Sequence, residues 1–112
     1  MRIAVPVSDG RLAAHFGHCE QFALIDVDET RKEITGKEFA IPPQHEPGVL
    51  PVWLAEQGVS VVIAGGMGSR AQNIFQQNRI HVVIGAPEAD PERVVLDYLS
   101  GCLAVGDNVC DH

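Results

Sequence analysis

The chain is short of positive charge and of cysteine, and it has no long apolar run. Eight Lys and Arg stand against fifteen Asp and Glu, a formal net charge of −7 over 112 residues. A nucleic-acid surface needs a concentrated basic patch, and cations this thinly spread do not make one. Nucleic acid and anionic membrane surfaces are therefore excluded as expected partners. No apolar stretch reaches the roughly 18 residues of a membrane span. Cys19, Cys102 and Cys110 are an odd number, so a disulfide framework is not expected. Thiols in a reducing compartment are the simpler reading. Met1 and Arg2 lead straight into a strand-like run, so no leader is expected and the location should be cytoplasmic. Internal repeats, low-complexity blocks, a P-loop and a Ser–His–Asp signature are all missing.

What remains is the composition of one ordinary globular domain, 46% hydrophobic. "RIAVPV" reads as a buried strand, with Pro6 near its end or on an edge because proline cannot donate to a ladder. "SDGRLAAHFGHCE" reads as a loop. "QFALIDVD" and "EITGKEFAI" read as strands joined by the polar hairpin "DETRK". After the proline-rich "PPQHEPG", the run "VLPVWLAEQG" predicts a helix with Val49, Leu50, Trp53 and Leu54 on one face and Gly58 as its stop. "VSVVIA" and "IHVVIG" read as strands covered on both faces. Between them "RAQNIFQQN" predicts a helix with Ala71, Ile74 and Phe75 inward. Asp90 and Pro91 are the cap and first residue of a last helix, with Val94, Val95, Tyr98 and Leu99 inward and Gly101 ending it. The order β-β-β-α-β-α-β-α predicts a single α/β domain over residues 1–104 with a mixed five-stranded sheet and helices on its faces. Residues 105–112 form a tail. Ligands of such sheets sit at the carboxyl ends of the parallel strands.

Several stretches could carry chemistry. "HFGHC" puts His15, His18 and Cys19 within five positions. Imidazole and thiolate suit zinc, copper, iron and iron–sulfur clusters. Gly17 favours a loop that bends close to a ligand. The spacing is not that of a zinc finger, and loop histidines bonded to carbonyls, with Phe16 as a core plug, would explain it equally well. "AGGMGSRA" is a strand–glycine–helix junction that presents amides at a helix start, an anion site on physical grounds. Gly66, Gly68 and Ala71 also satisfy a dinucleotide fingerprint, with Glu88 about 20 residues on. That match is weak, because short glycine motifs recur by chance, and a tight turn needing positive φ is the alternative explanation of the glycines. Arg70 would add a cation, and Met67 a thioether that more often serves packing. His45, with Glu46 beside it, sits in the proline-held loop, where histidines are usually just solvated. Cys110 and His112 flank Asp111 in the tail and could reach a metal as an arm, or simply fray. His81, inside a strand, reads as a core or edge histidine. Asp9, Asp26 and Asp28 read as solvated rather than metal-binding. Among the thiols, Cys19 should have its pKa lowered by nearby histidine or metal, and Cys102 should be a small buried hydrophobe. Cys110 should react fastest, Cys19 next and Cys102 least.

The chain resembles the dinitrogenase iron–molybdenum cofactor biosynthesis family, whose members include NifX-like, NafY-like and NifB-C-terminal proteins. The resemblance rests on "IAVPVSDG", "HFGHCEQFALIDVD", "EPGVLPVWLAEQGVSVVIAGGMGSRAQNIF" and "VVIGAP", with the tail "GDNVCDH". It implies a ribonuclease H-like fold and non-catalytic binding of a metal–sulfur cluster, molybdenum with iron or molybdenum with copper. The resemblance makes His15 the first metal contact and Gly65, Gly66 and Gly68 the glycine turn. A carrier needs one or two exchangeable ligands rather than a full cage. His15 with His18, Cys19 or His45 would bind metal. Phe16, Gly65, Gly66, Met67, Gly68 and Arg70 would line the cofactor. The implied partners are cluster donor and acceptor proteins, a MinD-like ATPase among the candidates, with the chain a monomer or weak dimer. The alternatives are a nucleotide-binding module on the glycine turn and a regulatory domain with a simple transition-metal site.

Overall fold

A computed structural model of the chain describes residues 1–14, 16, 19–43, 49–103 and 106. Its elements run β1 (Arg2–Ser8), β2 (Arg11–Leu12), β3 (Gln21–Asp28), β4 (Glu33–Ala40), α1 (Val49–Glu56), β5 (Val61–Ile63), α2 (Ser69–Gln77), β6 (His81–Val83) and α3 (Pro91–Leu99). The sheet order is β4-β3-β1-β5-β6, with β2 paired to β1. β1, β3 and β4 are antiparallel neighbours, whereas β1, β5 and β6 run parallel. The mixed α/β sheet agrees with the sequence, but the strand count is six rather than five. The additional strand is β2, inside the stretch read as a loop. Asp9 and Gly10 take positive φ (54° and 76°) and turn the chain back so that Val7 pairs Leu12. Two residues are too few to show a period in sequence.

β1 is apolar on both sides because both faces of the sheet are covered. On one face Ile3, Val5 and Val7 meet Val94 and Val95 of α3. On the other Ala4, Leu24 and Val62 meet Leu50 and Leu54 of α1 and Phe75 of α2. Pro6 lies two residues from the end of β1, near the strand end as expected, but in the middle of the sheet and paired to Phe22. The β5 ladder ends at Ala4 and the β2 ladder begins at Val7. Position 6 falls in that gap, so its missing N–H costs no ladder bond, and its carbonyl accepts from Ala13 N–H at 2.8 Å. β6 is partly covered on both faces, with Val83 packed on the α3 face and Val82 on the α1–α2 face. It is the sheet's last strand, with His81 exposed and Val82 and Val83 half-buried.

The hairpin between β3 and β4 is closed by Asp28, whose Oδ1 accepts from the amides of Thr30 (2.9 Å) and Arg31 (3.1 Å). Asp26 is not merely solvated. Its carboxylate holds the Arg2 guanidinium through two bonds of 2.9 and 3.2 Å, while Glu38 takes a third. These acids hold the guanidinium pKa above its usual value. In α1, Leu50 and Leu54 are buried, together with Pro51 in the first turn, and Gly58 (φ 83°) ends the helix region as expected. In α2 only Phe75 is fully buried. α3 starts as the sequence predicts: Asp90 accepts from Glu92 N–H at 3.0 Å, with Pro91 following it. Asp90→Ala should cost about 1 kcal/mol. Thermal unfolding should show it as a fall in Tm of about 4–5 °C.

Candidate functional site

The parallel strands β1, β5 and β6 end on the same side of the sheet, and each has a glycine two positions past its end: Gly10, Gly65 and Gly85. After β5, Gly65 and Gly66 are buried. The reason for glycine at 65 is crowding and not a left-handed backbone. A Cβ there would stand 2.9 Å from Ala14 O and 3.2 Å from Ala14 Cα. The positive-φ explanation for this turn therefore gives way to close approach. One residue on, Gly66 O accepts from Phe16 N–H at 2.9 Å. The "HFGHC" and "GGMGS" stretches, some fifty residues apart in sequence, are thus joined at Phe16–Gly66, with Ala14 just before crowding Gly65.

Phe16 is the plug that the sequence allowed. It is 5% exposed. Its ring stands edge-on to Phe75 at 5.3 Å between centroids and tilted to Phe22 at 5.6 Å. Aromatic contacts of this kind fix the loop's root to both the sheet and α2. Met67 is also a core residue, 1% exposed on the α1–α2 face. Its carbonyl accepts from Gln72 Nε2 at 2.9 Å. Gly68 is exposed and forms the N-cap of α2 without any side-chain cap, and the first turn holds no acid. Among the described residues no side chain caps these amides, which are the groups an anion would accept from. Arg70 is exposed in that turn and makes no ion pair among the described residues. Of the sequence-predicted ligands, His15, His18 and His45 lie outside the described residues, as do Cys110 and His112.

Cys19 is half-buried against the α1–α2 core. Burial pushes its thiol up to about 11, partly offset by backbone groups of Cys19 and Val7. This reverses the expected lowering: no cationic neighbour among the described residues outweighs desolvation. Cys102 reverses its expectation too, since it is exposed. Its Sγ bonds Ser100 O at 3.7 Å. The expected order of reactivity for these two thiols is therefore inverted. Iodoacetamide at pH 7.5 should label Cys102 well before Cys19, with the Cys19 rate climbing only as pH approaches 11. Peptide mass spectrometry across a pH series reads both. The raised pKa also has a stability consequence. Above pH 9 the unfolded thiol ionises while the folded one stays protonated, so stability falls between pH 9 and 11.

Two cavities adjoin this end of the sheet. A hollow of about 280 Å³ lies against Ala13 and Ala14 and is bounded by Arg11 and Glu88. A larger cleft of about 860 Å³ opens on the α3 face between Arg11, Lys37, Phe39 and Arg93. Among the described residues, none of the predicted site residues lines the larger one. Sequence reasoning missed Arg11 and the short strand that carries it. The Asp9–Gly10 pair was the available signal, because Asp-Gly between strand-like residues marks a hairpin turn.

A family model described as dinitrogenase iron-molybdenum cofactor matches residues 1–101. The chain belongs to this family. As a dinitrogenase iron-molybdenum cofactor family member it is 34% identical over 87 residues to the uncharacterized protein MJ0580 of Methanocaldococcus jannaschii, covering 73% of this chain and 72% of that protein. Among solved structures, that of PH0822 superposes with a TM-score of 0.85 at 28% identity, over 94% of both chains. The apo form of the orange protein from Desulfovibrio gigas superposes with a TM-score of 0.73, over 96% of this chain and 93% of that one. At 24% identity that likeness concerns the fold alone.

Proposed function

We propose that this family member binds a metal–sulfur cluster, containing molybdenum with iron or copper, as a non-catalytic carrier or scaffold in cofactor biosynthesis. The observation that carries the reading is the junction of Phe16 with Gly66 at the carboxyl ends of the parallel strands. It roots the donor-rich "HFGHC" stretch beside an uncapped helix start. Metal–sulfur clusters are anionic and soft. Open amides and Arg70 suit their sulfides, and imidazole suits their metals. His15 is the primary contact in this reading, with His18, His45 or Cys19 as a second. A Cys19 ligand would have to lose its proton on loading, because its pKa lies near 11. Gly65, Gly66 and Gly68 form the bed, while Phe16 and Met67 pack beneath it.

The ribonuclease H-like label belongs to the same proposal, supported by the antiparallel β1-β3-β4 half and the parallel β1-β5-β6 half. So do a cytoplasmic setting, a monomeric or weakly dimeric state, and transfer to and from donor and acceptor proteins. Among the described residues no helix is long and apolar enough to cross a membrane.

Calorimetry tests the function. Anaerobic titration with tetrathiomolybdate and Cu(I), or with extracted iron–molybdenum cofactor, should give saturable heat and co-eluting metal and sulfide. NAD and ATP should give none. Saturable nucleotide binding without cluster binding would reverse the assignment. Binding of Zn²⁺ alone, with no sulfide retained, would favour the regulatory-domain reading.

A further inference from the structure

β4 is the outer strand of the antiparallel half, and the pairing of its neighbours fixes which way its peptide groups point. Val27 N–H donates to Met1 O at 3.0 Å, and the Met1 ammonium donates to Val27 O at 3.4 Å. Odd-numbered residues of β3 therefore turn their main chain toward β1, and even-numbered ones toward β4. Phe22, Leu24 and Asp26 face Ala40, Glu38 and Gly36. The main chain of Lys37 and Phe39 then points away from the sheet, where no strand or loop pairs it among the described residues. The regular stretch is bounded at both ends. The register to β3 slips at Thr35, and Pro42 and Pro43 follow Ile41. Position 43 is the next outward one, and proline has no N–H to offer there. Residues 36–42 are thus the edge free to pair, and their midpoint is Phe39.

The side chains leave this edge open. Lys37 and Phe39 stand opposite Ile25 and Ala23, which face α3. Phe39 is 50% exposed, and Ile41 just past the strand is 81% exposed. Charged side chains often guard exposed strands, but both charges here are drawn inward. Lys37 Nζ meets Glu92 of α3 at 2.7 Å, and Glu38 takes Arg2 Nη1 at 3.2 Å.

We propose that a second copy of this chain pairs on this edge, β4 against β4 antiparallel, with Phe39 opposite Phe39. A two-fold axis through the edge brings one residue opposite its own copy. Centring on Lys37 would oppose two ammoniums and centring on Glu38 two carboxylates, both destabilising. Centring on Gly36 would run the ladder through the slip at Thr35, and centring on Ala40 would set Lys37 against Pro43. Centring on Phe39 sets ring beside ring, Lys37 beside Ile41 and Glu38 beside Ala40. In that register the outward peptide groups of Lys37, Phe39 and Ile41 all find partners. The edge is therefore its own complement. The pairing does not depend on cluster binding, since the glycine turn follows β5, beyond β1 and β3 in the sheet order.

The test is sedimentation equilibrium of the full chain. The wild type should approach twice its 12.1 kDa mass as concentration rises. Phe39→Pro removes the ring and an outward N–H but no ladder bond within the chain. It should raise the dissociation constant by about 30-fold or more. Phe39→Glu should do the same, with the melting curve of the dilute protein confirming the fold of each. Exchange of the Lys37 and Phe39 amides should slow as the wild type is concentrated, while the inward Glu38 amide stays protected throughout. Val52→Glu, on the exposed side of α1, should leave association unchanged. A wild type still monomeric at about 1 mM overturns the proposal and leaves the edge to a strand from another protein. A dimer that survives Phe39→Pro but separates in Val52→Glu overturns it too, and places the interface on α1.

Discussion

His15→Ala should weaken cluster retention by about 100-fold or more while leaving Tm within about 2 °C of wild type. The expectation follows from where its neighbours are. Ala14 touches Gly65, and Phe16 is bonded to Gly66 and locked between Phe22 and Phe75. The fold therefore holds the stretch through the main chain and the Phe16 ring. If the His15 imidazole is a donor as proposed, its removal should leave the core closed. Equilibrium dialysis against a copper chelator measures retention, and calorimetry gives Tm. A large fall in Tm with retention unchanged would make His15 a structural residue and remove it from the site.

Phe16→Ala should do the opposite in stability. The ring is 5% exposed and meets two other aromatic rings. Truncating a buried phenylalanine costs about 3–5 kcal/mol. For a domain of this size, that lowers Tm by roughly 12–20 °C. Cargo retention should fall as well, because the root of the donor stretch loosens. Phe16→Leu should recover much of the stability by refilling the volume. A loss below about 1 kcal/mol for the alanine variant would mean that the ring is not the anchor described here. Together the two substitutions separate a donor from its mount, although the residues are adjacent.

The helices were the most legible part of the chain. Asp90 and Pro91 announce the start of α3, and Gly101 (φ 73°) its end, through local chemistry that needs no tertiary partner. The parallel half was readable from unbroken apolar runs. What escaped depends on contacts between distant segments. β2 exists only as a partner to the end of β1. Pro6 is tolerated mid-sheet because two ladders stop on either side of it. An apolar run cannot say whether its strand is central or last, so it leaves the place of β6 at the end of the sheet open. The thiols failed for the same reason. Cys19 sits beside histidines in sequence but beside apolar side chains in space, while Cys102 follows a helix and faces solvent. For the proposed site, sequence supplied the candidate donors and the glycines. The contact between Phe16 and Gly66 could be supplied only by the fold.

Gly85 N–H donates to Gly65 O at 2.8 Å and Gly106 N–H to Gly85 O at 2.7 Å, and this row of peptide groups gives this end of the protein an unusual engineering property. A surface made of side chains changes shape with each substitution, whereas one made of peptide groups keeps its shape while residues around it vary. The bed can thus be treated as a fixed part. In the proposed site the adjustable positions are His15, His18 and His45, named from the sequence, and Arg70 in the first turn of α2. Histidine, cysteine or arginine could be exchanged there to favour another metal without redesigning the platform. The same logic sets the limit of such work. Gly65 and Gly85 have neighbouring backbone where a Cβ would stand, so substitution at either would alter the platform itself rather than its selectivity.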